Sequence, residues 1–250
     1  MFLRGFPFAI VLVAACGGAT TRSAEPTAAG GAPGCREVVA RYDRVDADLK
    51  TASAGLESKD IATVGNAFRD FERITSAAAA DFGAMKPDAK LSSFVSDTAR
   101  YSRTVQQASH DASAFVDRIA AANASSNQVL SGIKARSAAV GQRCATAKLT
   151  ECPGVIDWIK NLPESPDAMD PYLAKGHAID VHDAMLKDRF DKLLGDLDTV
   201  TRNAHDAKAA NEGFQKIIGD IDLDKRGDVL DQRLHDLCGR PLPAKTHASR

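Results

Sequence analysis

The stretch that decides the fold is residues 91–122, LSSFVSDTARYSRTVQQASHDASAFVDRIAAA. Apolar or small side chains recur along it at alternating spacings of three and four residues, which is the pattern of a helix with one narrow buried seam. The seam residues are Leu91, Phe94, Thr98, Tyr101, Val105, Ala108, Ala112, Phe115, Ile119 and Ala122. A seam of this width predicts a helix that packs at a shallow angle against similar helices.

The same spacing appears on both sides of this stretch, in seams that run from residue 35 to 56, from 61 to 85 and from 186 to 221. The central seam itself continues through Val129, Ile133 and Val140, so its helix should extend from about residue 89 to about residue 145. The alternative is a kink or break at residues 123–127, NASSN. We therefore expect an all-α fold, an elongated antiparallel helical bundle with long helices and coiled-coil-like heptad packing.

The bundle domain is predicted to span residues 35–243, with a proline-rich connection at about residues 146–176 and a disordered tail at residues 244–250. Prolines at positions 153, 163, 166 and 171 interrupt the connection. Because the residue before a proline is pushed out of helical geometry, the connection is expected to hold one short helix, at about residues 155–162.

The start of the chain is typical of a secretory signal peptide, predicted at residues 1–15. Met1 and Arg4 supply positive charge, and an apolar run at residues 6–15 is too short to cross a bilayer. The run ends in Val13-Ala14-Ala15-Cys16, which resembles the lipobox of bacterial lipoprotein precursors. The resemblance covers the leader alone. It implies cleavage before Cys16 and attachment of a lipid to that cysteine; the alternative is an ordinary leader with a cysteine nearby by chance.

Residues 16–34 are predicted to form a tether, because Gly, Ala, Thr and Pro dominate them and large apolar side chains are almost absent. A coil of this length has a root-mean-square span of roughly 25 Å. The lipoprotein resemblance also implies a location, since Gly17 stands where an aspartate would retain some lipoproteins in the inner membrane. We therefore expect a lipid-anchored protein of the cell envelope, at the outer membrane.

The four remaining cysteines are Cys35, Cys144, Cys152 and Cys238, an even number that favours two disulfides in an exported chain. A zinc site is the weaker interpretation, because no two of them have C-x2-C spacing. If the third helix is continuous, Cys35–Cys238 and Cys144–Cys152 is the favoured pairing. If that helix folds back at Asn123, Cys35–Cys144 and Cys152–Cys238 becomes natural.

Several kinds of function lack their sequence signature. The balance of 32 basic and 33 acidic side chains argues against a nucleic-acid partner. Covalent haem, di-iron, zinc-hydrolase, phosphate-loop and nucleophile-elbow motifs do not occur.

His177 and His182 lie about 140° apart on a regular helix, so they are not expected to share a metal ion. Asp231 and His235 are expected to form a simple ion pair. We predict no catalytic residue, cofactor or metal site.

Trp158, the single tryptophan, stands among apolar residues of the proline-rich connection. It is interpreted either as part of a hydrophobic lid on the bundle or as an exposed anchor for a partner, since tryptophan is enriched at binding hot spots. The sequence as a whole is that of a non-catalytic interaction or scaffold protein, possible partners being the membrane and another envelope protein. The alternative function is a periplasm-facing carrier of an apolar small molecule or a metal, held between helices.

Overall fold

The computed structural model describes residues 34–163, 168–220 and 223–242. The predicted signal peptide, Cys16, all of the tether except Gly34, and the predicted tail lie outside these residues. The side chains of the seam positions Ile218 and Ile221 also lie outside the described part of the chain.

The described residues form α-helices and one short 3₁₀ helix, and they contain no strand. The elements are α1 (Cys35–Ser53), the 3₁₀ helix (Ala54–Glu57), α2 (Ile61–Ala84), α3 (Ala89–Ala147), α4 (Cys152–Lys160), α5 (Met169–His177), α6 (Ala184–Asp220) and α7 (Leu223–Cys238). The prediction of an all-α helical bundle is confirmed.

The long helices begin and end where local chemistry favours it. Asp60 precedes α2, and its side chain accepts a hydrogen bond from the Thr63 N–H at 3.0 Å, which satisfies one of the unpaired donors of the first turn. Met85 ends α2 in an extended conformation, just before the Lys86-Pro87 pair. Helix α3 is continuous through residues 123–127, so the alternative of a break there is wrong.

The proline-rich connection contains two helices, α4 and α5, and not the single one expected. The additional helix is possible because Pro171 lies in the first turn of α5, where its missing N–H would have no helical partner in any case. Pro153 has the equivalent place at the start of α4.

The described residues divide into two compact units. The middle unit consists of residues 118–211, and the terminal unit consists of residues 34–117 and 212–242. Helices α3 and α6 each contribute one part to the middle unit and one part to the terminal unit.

In the middle unit, the seam of α6 forms the centre of the core. Leu186, Phe190, Leu193 and Leu197 are all buried, as their heptad spacing predicts. They belong to the same apolar cluster as Ile133 and Val140 of α3, Val155 and Trp158 of α4, and Tyr172 and Leu173 of α5.

The terminal unit has two apolar clusters. The first contains Val38, Phe82, Phe94 and Leu234, all buried, from α1, α2, α3 and α7. The second contains Val64, Phe68, Ala112, Val116 and Phe214, from α2, α3 and α6. The aromatic rings of Phe68 and Phe214 meet edge to face with centroids 5.5 Å apart. Val64, Phe68 and Phe82 of α2 and Phe94 and Ala112 of α3 are predicted seam positions that are buried, whereas at the next position of the α3 seam Val116 is buried and the predicted Phe115 is half-buried.

Candidate functional site

The four cysteines form two disulfides, each within one unit. Cys35 pairs with Cys238 in the terminal unit, with 5.5 Å between the Cα atoms. Cys144 pairs with Cys152 in the middle unit, with 5.4 Å between the Cα atoms. This is the pairing that a continuous third helix favours. The two bonds close loops of very different length, because their cysteines are 203 and 8 positions apart in sequence.

Trp158 lies inside the middle unit, with 7% of its surface exposed. Its Nε1–H donates to the Tyr172 carbonyl oxygen at 3.0 Å, and the Tyr172 hydroxyl donates to the Trp158 carbonyl oxygen at 2.7 Å. The two rings stack at 4.4 Å, and the Phe190 ring meets the indole edge-on. Burial raises the pKa of the Tyr172 hydroxyl. The indole therefore ties α4 to α5 and offers little area to a partner.

An open groove of about 530 Å³ borders the Cys144–Cys152 disulfide. Both cysteines line it together with Lys148, Leu149, Pro153, Ile156, Asp157 and Lys160. Its walls are the last turn of α3, the short turn after it and one side of α4. The groove combines an apolar lining with two ammonium groups and one carboxylate, beside a disulfide.

The residues adjacent to this disulfide bind the start of α6. The Arg143 guanidinium donates to both carboxylate oxygens of Asp183, at 3.0 and 2.5 Å. The same carboxylate accepts from the Leu186 N–H at 2.7 Å, and the Glu151 carboxylate accepts from the Asp183 N–H at 3.2 Å. The Arg143 hydrogen bonds, followed by those of the backbone, lower the pKa of Asp183 from its ordinary 3.8 to about 2. Asp183 is therefore an ionised cap of α6, held by α3 and by the residue before α4.

A second charged cluster lies beside the other disulfide, in the terminal unit. Arg240 is almost fully buried, and its guanidinium donates to Asp43 and to Asp231, each at 2.6 Å. The guanidinium carbon lies 4.9 Å from the centroid of the Tyr42 ring. Burial, followed by the charge of Asp231, raises the pKa of the Tyr42 hydroxyl. Gly239, with φ of 69°, turns the chain after α7 so that Arg240 reaches this position.

A smaller groove, of about 330 Å³, lies where the chain enters the terminal unit. Gly34 lines it and has φ of 100°, which favours glycine at this position. A side chain at residue 34 would also lie 3.4 Å from the Asp88 carboxylate. The groove further contains Glu37, Arg41 and Lys86, so its charged lining is mixed.

Most of the described histidines pair with carboxylates on a neighbouring element. His177 of α5 lies 3.1 Å from Asp198 of α6, and His205 of α6 lies 3.1 Å from Asp170 of α5. His110 of α3 lies 3.1 Å from Glu72 of α2. In residues 34–163, 168–220 and 223–242, no group of three or more His, Cys, Asp or Glu side chains is placed to hold a metal ion.

The expected ion pair between Asp231 and His235 is replaced by contacts with Arg240. Asp231 accepts from the guanidinium, while the His235 Nδ1 lies 2.7 Å from the Arg240 carbonyl oxygen. Arg240 follows a glycine and precedes a proline, outside every seam, so periodicity gives no indication of its burial. The dipeptide Gly-Arg directly after the last cysteine is the one local signal.

None of the described helices is long and apolar enough to cross a membrane. Comparisons of the chain with protein-family models, with curated proteins and with solved structures found no match.

Proposed function

We propose that this chain is a non-catalytic interaction or scaffold protein of the bacterial cell envelope, held at a membrane by a lipid on Cys16. One observation supports the non-catalytic part above the others: the buried and half-buried charged groups between helices bind each other. Arg143 and Asp183 join α3 to α6, and Arg240 joins α1 to α7. A catalytic site needs a titratable group that faces a cavity and a substrate, whereas these groups have their hydrogen bonds satisfied by the fold.

The lipid anchor is supported by the lipobox resemblance at residues 13–16 and by the composition of the tether. It is tested by intact mass and membrane fractionation of the native protein and of a Cys16→Ser variant. The proposal expects added lipid mass at an N-terminal Cys16 and loss of membrane association in the variant. A native protein that carries no lipid and fractionates with the soluble proteins would contradict the anchor.

The interaction role is tested by photo-crosslinking in intact cells at the exposed apolar side chains Met185 and Val229, which are 52% and 56% exposed. Each has a matched control beside it, since Leu186 is 0% and Leu230 is 4% exposed. A scaffold should give one discrete protein adduct at an exposed position and none at its buried neighbour. The yield of that adduct should be lower in the Cys16→Ser background. Absence of a specific adduct at both exposed positions would contradict the role.

The carrier alternative predicts a different result. Native mass spectrometry of gently purified protein should then show additional bound mass, which a scaffold does not require. The side chains of Leu186, Phe190 and Leu193 already fill the centre of the middle unit, each with 1% exposure or less, which favours the scaffold.

A further inference from the structure

We propose that the Cys144–Cys152 disulfide is a thiol–disulfide exchange site, which a dithiol reductant opens while Cys35–Cys238 stays closed, and that its opening releases the cap of α6. The inference goes beyond the scaffold role and does not depend on the lipid anchor. It rests on four observations: the groove, the charges around Cys152, the short loop, and the contacts of the two residues that flank the disulfide.

The groove gives an incoming thiolate a path to the disulfide. Exchange requires the attacking sulfur to approach one sulfur in line with the bond, so access controls its rate. Both Cys144 and Cys152 line the open groove of about 530 Å³, and 8% and 7% of their surfaces are exposed, against 3% for Cys35 and 5% for Cys238. Its apolar residues, Leu149, Pro153 and Ile156, also provide a surface for the side chains around a reductant's cysteine.

The charges in the groove favour Cys152 as the leaving thiolate. Cys152 is the first residue of α4, and the positive end of the helix dipole stabilises a thiolate there. Lys148 and Lys160 line the same groove, against the carboxylate of Asp157, while the Glu151 carboxylate next to Cys152 accepts from the Asp183 N–H. A better-stabilised thiolate leaves faster and also makes the reduced form more favourable.

The exchange is balanced by a dithiol. Its thiolate attacks Sγ of Cys144, a new sulfur–sulfur bond forms, and the electron pair of the old bond passes to Sγ of Cys152. The second thiol of the reductant then loses its proton. The resulting thiolate attacks the reductant's first sulfur in the mixed disulfide, and this releases Cys144 as a thiolate. In total the dithiol is oxidised to a disulfide, and Cys144 and Cys152 take up two electrons and, once neutral, two protons.

The fold is arranged to survive this reduction. In the chain-entropy account, a crosslink stabilises the folded state more when it closes a longer loop. Cys144 and Cys152 are only 8 positions apart, so their bond adds about half as much stability as the bond over 203 positions, which remains intact. Helix α4 also keeps the hydrogen bonds between Trp158 and Tyr172.

Opening of the disulfide is expected to loosen the start of α6. Arg143 precedes Cys144 and Glu151 precedes Cys152, and both side chains bind Asp183, the capping residue. The disulfide fixes the separation of these two residues. Opening of the disulfide frees the end of α3 from the start of α4. Glu151 is then no longer fixed next to Arg143, and its hydrogen bond with the Asp183 N–H becomes easier to break.

The test is a titration of the full mature protein with dithiothreitol, followed by alkylation and tryptic mapping. Trypsin cuts after Arg143, Lys148 and Lys160, so the disulfide appears as the linked peptides CATAK and LTECPGVIDWIK. We expect this pair to separate at a reductant concentration about tenfold lower than the pair containing Cys35 and Cys238. Equal sensitivity, or earlier loss of Cys35–Cys238, would overturn the proposal.

The role of the lysines is tested with a Lys148→Met, Lys160→Met double variant, whose reduction should be slower by about threefold or more. The matched control is Lys175→Met, Lys192→Met, which changes two lysines of the same unit that do not line the groove. Equal rates in the two variants would refute the electrostatic argument.

The loosening of the start of α6 is tested by amide hydrogen exchange of the partly reduced protein and of a Cys144→Ser, Cys152→Ser variant. Both should show exchange at residues 183–187 that is faster by about tenfold, with helix content retained and α1 unchanged. Unchanged exchange at residues 183–187, or loss of the helical signal, would refute a switch that acts on α6.

Discussion

At the level of single residues, the packing around Trp158 leaves space for only a hydrogen atom at Gly176. A Cβ there would lie 2.6 Å from the indole and 2.8 Å from a Leu194 methyl carbon. The indole cannot easily withdraw, because it stacks on Tyr172, meets Phe190 at its edge and donates a hydrogen bond. Gly176 is therefore a packing requirement of the middle unit.

A Gly176→Ala substitution should lower the free energy of unfolding by about 1–3 kcal/mol, since it overpacks a filled core. The matched control is Gly195→Ala in α6, where no atom outside the helix backbone lies within 4 Å of the added carbon. That change should raise the free energy of unfolding by about 0.5–1 kcal/mol through helix propensity. Thermal or urea unfolding measures both, and a stabilising Gly176→Ala would show that the indole moves.

Asp183 should make stability depend on pH in the acid range. Its pKa is about 2 in the folded chain and 3.8 ordinarily, so between these values the unfolded chain binds a proton that the folded chain does not. The stabilisation is complete above about pH 4 and is lost as the pH falls towards 2. An Asp183→Asn variant should therefore differ most from the native protein above pH 4, and the difference should shrink on acidification.

Arg143→Met provides the control, because it removes the hydrogen bonds that lower the pKa of Asp183. Denaturant unfolding from pH 2 to pH 6 should give Asp183→Asn the flattest profile and Arg143→Met an intermediate one, because the backbone hydrogen bonds of Leu186 and Met185 still lower the pKa of Asp183 in that variant. Parallel profiles for the native protein and both variants would mean that Arg143 does not stabilise the ionised carboxylate.

Surface ion pairs show which residue contacts a sequence can predict. Asp46–Lys50 and Asp188–Lys192, four residues apart on one helix, are both present. A pair of Asp183 with Lys187 is predicted by the same spacing, but Asp183 binds Arg143, which is 40 positions away. Spacing within a helix gives the local pairs, whereas a partner from another helix depends on tertiary packing.

Among the elements, α3 is the one whose continuity the sequence left open. Asn and Ser at residues 123–127 are weak helix formers, which is why a break was a reasonable alternative. The seam on both sides continues across them with Ala122 and Val129, and Asn203 of α6 donates to the Ser125 hydroxyl at 2.9 Å. The tertiary contacts of α3 thus outweigh the low helix propensity.

A Ser126→Pro substitution tests this continuity. In a helix interior it removes a backbone hydrogen bond and clashes with the carbonyl of Ala122, so we expect a loss of about 3 kcal/mol or more. Ser126→Ala is the control and should change stability by less than about 0.5 kcal/mol. Circular dichroism during thermal unfolding measures both, and equal stability of the two variants would indicate that residues 123–127 do not need helical geometry.

Helix α5 shows the opposite error. Four prolines in the connection suggested a single helix, yet a proline in a first turn is compatible with a helix. Counting prolines without considering where each lies in a helical turn therefore underestimates the number of helices in the connection. The signal that α5 exists was the apolar pair Tyr172 and Leu173, both of which are buried.

For the whole chain, the two disulfides should differ strongly in their effect on stability. On chain entropy alone, the bond over 203 positions is worth about 5 kcal/mol and the bond over 8 positions about 2.5 kcal/mol. Cys35→Ser, Cys238→Ser should therefore lower the free energy of unfolding by about twice as much as Cys144→Ser, Cys152→Ser. Urea unfolding of the two double variants measures this, and equal losses would contradict the loop-length argument.

The fold as a whole was more predictable than its candidate sites. Buried seams are a property of local spacing, so the positions of Leu186, Phe190 and Leu193 in the core follow from the sequence. The Arg240 cluster and the Asp183 cap join residues far apart in the chain, and no periodicity encodes them. The role of Trp158 could be predicted in part. It is the single tryptophan and stands among apolar residues, which indicates a special position, but only its hydrogen bonds with Tyr172 show what it does.

The Cys35–Cys238 bond also has a mechanical consequence. It joins the first residue of α1 to the last residue of α7, so the chain enters and leaves the described helices at two points whose Cα atoms are 5.5 Å apart. A pull applied between residues 34 and 239 is then carried by one covalent bond. The helices between them bear no load as long as this bond is intact.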